Sequence, residues 1–93
     1  MIPFSVFYPT KIAELPDNSN DNIDVCVTLE NGMSYTLVFV TPANLEAMMK
    51  KDGASYIDPR FRFIVVERLT ENIIEDVIRA LIPDEECLRE YGI

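Results

Sequence analysis

Histidine and tryptophan do not occur in this chain, cysteine occurs twice, and glycine three times. Lacking histidine, the chain lacks the commonest general base and the commonest metal ligand together. That argues against a conventional hydrolase and against a zinc site. Cys26 and Cys87 are too few for a disulfide scaffold and stand at no metal-ligand spacing. They read as two reduced thiols acting as small apolar residues, with a bridge between a strand and the last helix as the minor alternative. No apolar run exceeds four residues, as at Phe63 to Val66, so the sequence offers no transmembrane helix. The opening MIPFSVFYPTK has no basic region, long apolar core or small-residue cleavage site of a signal peptide, which makes a cytoplasmic location the expectation.

Positive charge is scarce as well. Sixteen acids stand against eight bases, a net charge of −8. Between Ile12 and Met49 there are six acids (Glu14, Asp17, Asp21, Asp24, Glu30, Glu46) and no base. From Glu67 onward eight acids face three bases, and four of the eight bases lie between Lys50 and Arg62. Nucleic acid and anionic membrane surfaces both need the opposite balance, so neither is an expected partner.

What is present is enough apolar matter for one core. Ninety-three residues at 48% apolar make a single domain, residues 1–93, with no second core, no internal repeat and no low-complexity tract. Its centre is the stretch Ile23 to Val40. Ile23, Val25, Val27 and Leu29 alternate with Asp24, Cys26, Thr28 and Glu30, the period-2 mark of a half-buried strand. Met33, Tyr35, Leu37 and Phe39 do the same in the second half. A two-residue turn at Asn31-Gly32 would pair Glu30 with Met33 and send the two apolar rows to opposite faces. A three-residue loop, Glu30-Asn31-Gly32, with Gly32 left-handed as a G1 bulge, pairs Leu29 with Met33, Val27 with Tyr35, Val25 with Leu37 and Ile23 with Phe39. That register puts all eight large apolar residues on one face, and it is the one expected.

The remaining elements read in order. Phe4 to Tyr8, between Pro3 and Pro9, is an edge strand with Phe4, Val6 and Tyr8 on one face. Lys11 to Leu15 allows one helical turn, and Pro16 to Asn22 is an exposed, mobile loop. Thr41 caps a helix with Pro42 at its first position, running to about Lys51 and stopped by Gly53. Its Leu45, Met48 and Met49 are expected to fill core. Arg60 to Glu67 reads as a third major strand, central and buried on both faces at its apolar end. Thr70 caps the clearest helix, whose Ile73, Ile74, Val77, Ile78, Leu81 and Ile82 form one broad stripe suited to the hairpin face. Asp84 caps a last helix over Glu85 to Tyr91. The expected fold is α+β: a single small domain in the order β-β-β-α-β-α-α, with a mainly antiparallel sheet of about four strands and helices packed on one face.

No catalytic residue, metal ligand or cofactor site is assigned. The carboxylates fall in no recognised motif, and neither Asp84-Glu85-Glu86 nor Asp21 to Asp24 matches an EF-hand loop. The cysteines have no histidine to activate them. An enzyme is therefore not expected. A small, strongly acidic domain suits a protein-binding role, because complementary charge speeds encounter with a basic surface. Immunity proteins and nuclease inhibitors use this physics. The leading expectation is a module of that kind, neutralising a basic partner such as a toxin or nuclease by stoichiometric binding. Asp17, Asp21 and Asp24 around the loop, and Glu71, Glu75, Asp76, Glu85, Glu86 and Glu90 on the helices, would carry the contact. The alternative is a self-associating structural or subunit domain without catalytic activity, using an edge strand or Val38 and Val40. Those valines could equally be covered by the N-terminal segment or the last helix. Monomer and weak homodimer both remain open.

Overall fold

The hairpin fixes everything around it. In the computed structural model, which describes residues 3–92, β2 (Asn22–Leu29) and β3 (Ser34–Val40) pair Ile23 with Phe39, Val25 with Leu37 and Val27 with Tyr35. The Leu29 N–H donates to the Met33 carbonyl at 2.8 Å, and Gly32 takes a φ of +86°. This is the three-residue bulged loop of the expected register. Seven of the eight apolar residues are buried in one core, while Met33, at the turn, stays 51% exposed.

β1 (Phe4–Phe7) lies antiparallel on the other side of β2, an edge strand as its flanking prolines require. Phe4 and Val6 turn toward the core with Tyr8, and Phe7 faces outward. A single 3-10 turn (Ile12–Glu14) follows. The Pro16 to Asn22 loop is anchored rather than free. Asn18 accepts from the Leu69 N–H at 2.8 Å, and its side-chain amide donates to the Leu69 carbonyl at 3.4 Å.

α1 (Pro42–Asp52) begins at Thr41, whose hydroxyl accepts from the Asn44 N–H. It ends in a Schellman arrangement, with Gly53 at φ +64°, Gly53 N–H bound to Lys50 and Ala54 N–H to Met49. None of its residues is buried. Leu45, Met48 and Met49 are half-buried and lie outside the main core, so the core-filling role expected for them does not hold. The crossover through α1 sets β4 (Phe63–Val65) parallel to β3, pairing Val38 with Phe63, Phe39 with Ile64 and Val40 with Val65.

β4 corrects a second expectation. It is three residues long and forms the other edge of the order β1-β2-β3-β4, so it is neither central nor buried on both faces. Ile64 and Val66 turn inward to the core, while Val65 on the outer face is 54% exposed. The apolar run reflects two environments, a core on one side and a partly open surface on the other. Of the two outer valines of the hairpin, Val40 is buried and Val38 half-buried.

α2 (Glu71–Leu81) is capped by Thr70, which accepts from the Ile73 N–H at 3.2 Å. Its Ile74 and Ile78 are fully buried with Leu37, Phe39, Val25 and Val27 of the hairpin. α3 (Glu85–Tyr91), capped by Asp84, adds Leu88 to the same core. Each such side chain contributes roughly 1.5–3 kcal/mol of transfer free energy. The product is a two-layer α+β slab of 42 × 29 × 18 Å with a mostly antiparallel four-stranded sheet. Cys26 and Cys87 are both free thiols; Cys26 faces outward against the Thr36 hydroxyl at 3.7 Å.

Candidate functional site

Carboxylates dominate the surface, and the fold distributes them unevenly. Among the described residues only Glu46, Asp58, Glu75 and Asp76 of the sixteen acids have a cation within ion-pair distance. The anchored loop brings Asp17 beside the segment that starts α2, because Asn18 is bonded to Leu69 two residues before Glu71. Asp17 is exposed and accepts from both the Ser19 hydroxyl and N–H, which hold its carboxyl below the usual range. Asp21 is half-buried. Its carboxylate accepts from the Asn22 N–H, and its backbone is tied to Thr41.

Glu71 is exposed and free of any ion pair among the described residues, whereas Glu75 and Asp76 share Arg79 at 3.5 and 3.1 Å. Arg79 in turn lies over the Phe4 ring at 5.9 Å. Beneath this pair the Tyr8 hydroxyl is the one buried side-chain polar atom among the described residues without a hydrogen-bond partner. Burial, followed by the charges of Glu75 and Glu71, pushes it up to about 12.

Glu85 and Glu86 stand exposed in the first turn of α3. Glu90 is set apart from them. It lines a hollow of about 250 Å³ with Tyr91, Arg60 and Arg62, beside the cations rather than the other acids. Asp24 is separated too, since its position in β2 puts it on the outer face of the sheet, opposite Val38 and away from α2 and α3. Of the nine expected contact residues, Asp17 is therefore brought toward Glu71, while Asp21 is tied to Thr41 at the start of α1. Glu85 and Glu86 stand beyond the other end of α2, at the start of α3, while Asp24 lies on the outer face of the sheet and Glu90 beside Arg60 and Arg62.

A second feature was not anticipated. The stretch Gly53 to Arg62 has no regular structure, yet Tyr56 and Phe61 on it are 68% and 62% exposed. With Met48 and Met49 of α1, and with Phe63, they line a hollow of about 360 Å³. Phe61 and Phe63 stack with ring centroids 5.7 Å apart. The charged residues lining it are Asp52 and Asp58. Asp58 is held by a two-pronged hydrogen bond from Arg60, while Asp52 has no ion pair among the described residues. Apolar side chains spaced at Tyr56, Ile57 and Phe61 inside a loop were the signal for it. Periodicity does not register Tyr56 and Ile57, and it reads Phe61 into the strand that begins only at Phe63.

No helix among the described residues is long and apolar enough to cross a membrane. No protein-family model matches the chain, and comparisons with curated proteins and with solved structures find no match.

Proposed function

We propose that the chain is a protein-binding module that engages a basic partner through its exposed carboxylates, in the manner of an immunity or inhibitor protein. The observation that supports this reading is the low degree of internal neutralisation. Twelve of the sixteen carboxylates lack a cation among the described residues, and Asp17, Glu71, Glu85 and Glu86 are all exposed. Uncompensated like charge lowers stability through self-repulsion, and a basic surface relieves it on contact. Complementary potentials of this kind raise association rates steeply and make them sensitive to salt.

The test is a pull-down from the native host at low and high salt, with the wild type beside a Glu71→Gln, Glu85→Gln, Glu86→Gln triple variant. A basic protein should be retained at low salt, released as salt rises, and retained less by the variant. Failure to retain a basic protein at low salt, or retention indifferent to salt, would sink the reading. A second reading, self-association, draws on the exposed Tyr56, Phe61 and Val65. It predicts a mass that rises with concentration in light scattering.

A further inference from the structure

We infer that the hollow between α1 and the lead-in to β4 seats an arginine-bearing, apolar-flanked segment of a basic partner protein. This rests on the basic-partner reading and goes beyond it by assigning the anchor point. The hollow is about 360 Å³, inside the range of sites that enclose a ligand group, and its walls are Met48, Met49, Tyr56, Phe61 and Phe63. Methionine and aromatic residues are the types enriched where protein partners anchor. Methionines adapt their shape to an incoming side chain, and aromatic faces attract a guanidinium.

Charge selects the occupant. The charged side chains lining the hollow are carboxylates, and Asp52 is the one with no cation of its own among the described residues. None of the four nearby bases lines the hollow. Lys50 is paired with Glu46, Arg60 with Asp58, and Arg62 donates to the Pro59 carbonyl and lines the neighbouring hollow. Lys51 does not line the hollow. An arginine entering would lay its stem and guanidinium plane on the rings and meet the Asp52 carboxylate. An acidic segment would meet Asp52 as a like charge and approach a molecule of net charge −8. A second copy would bring that same net charge with it.

The experiment follows the methionine methyl groups by NMR, with the full chain titrated by a short peptide carrying arginines between leucines. A counterpart with glutamate for arginine is run beside it. The Met48 and Met49 methyls should move with the arginine peptide, while Met33, at the far turn of the hairpin, should not. Phe61→Ala and Asp52→Asn alter exposed side chains and leave the core intact; each should weaken the arginine peptide about fivefold or more. Binding that leaves Met48 and Met49 unmoved and is indifferent to both variants would overturn the inference while leaving the basic-partner reading standing. No binding of the arginine peptide at low salt would overturn the inference alone, since the pull-down tests the basic-partner reading separately. Preference for the glutamate peptide would overturn the assignment of the occupant. So would a concentration-dependent mass that Phe61→Ala abolishes, which would give the hollow to a second copy.

Discussion

At the scale of single residues, Gly32 and Tyr8 both depart from ordinary surroundings, one in its backbone and one in its side chain. Gly32 sits at φ +86° with open space where a side chain would go. The obstacle to substitution there is backbone conformation alone. Gly32→Ala should keep the hairpin register and lose about 1–2 kcal/mol, read as a lower urea midpoint at unchanged slope. Tyr8 is an acid kept neutral by burial and by Glu75 and Glu71, its value raised from 10.0 to about 12. A group raised in this way gives its full contribution below the unfolded value and loses it as pH rises through the folded one. Stability should therefore decline between about pH 10 and 12, and Tyr8→Phe should flatten that decline in alkaline thermal melts. At pH 7 the hydroxyl is neutral in the folded and unfolded states alike, and the substitution should change stability by less than about 1 kcal/mol.

At the scale of elements, the joint between β3 and α1 depends on one threonine. Thr41 is fully buried; its hydroxyl accepts from Asn44 and from Asp21 and can donate to the Asp21 carbonyl, while its own N–H bonds Asp21 at 3.2 Å. Thr41→Val keeps the shape and removes the hydroxyl, leaving a helix start and a strand start without their shared partner. A loss of about 1–3 kcal/mol is expected in chemical denaturation. The Thr41 cap itself was legible, as were the caps at Thr70 and Asp84, because capping is written in a few adjacent residues. The hairpin register was legible for a related reason: a one-residue slip would have turned its apolar rows apart. β4 was not legible to the same degree. A run such as Phe63 to Val66 looks alike whether a strand is enclosed on both sides or has a core on one side and a hollow on the other. Strand position is set by the α1 crossover, a long-range fact that no local pattern carries.

At the scale of the whole molecule, composition told more about the surface than about where its charges meet. The excess of acid was plain, and so was the apolar face that α2 would cover. The grouping of Asp17 with Glu71 depends on Asn18 reaching Leu69, fifty-one positions away. Likewise, the placement of Glu90 beside Arg60 and Arg62 depends on how α3 crosses toward β4. These juxtapositions arise only once the core has closed.

The unstructured path from Gly53 to Arg62 has a further consequence, for the continuity of the chain itself. Lys51, Arg60 and Arg62 lie exposed in or beside it, ahead of the three-residue β4. Exposed stretches of this sort are where proteases cut first. Trypsin under native conditions should nick here before it reaches Arg79. The two pieces should then elute together, since Val25, Leu37 and Phe39 come from one side of the nick and Leu69, Ile74 and Leu88 from the other, within a single core. The same stretch is accordingly a place where the protein would tolerate being opened and expressed as two halves.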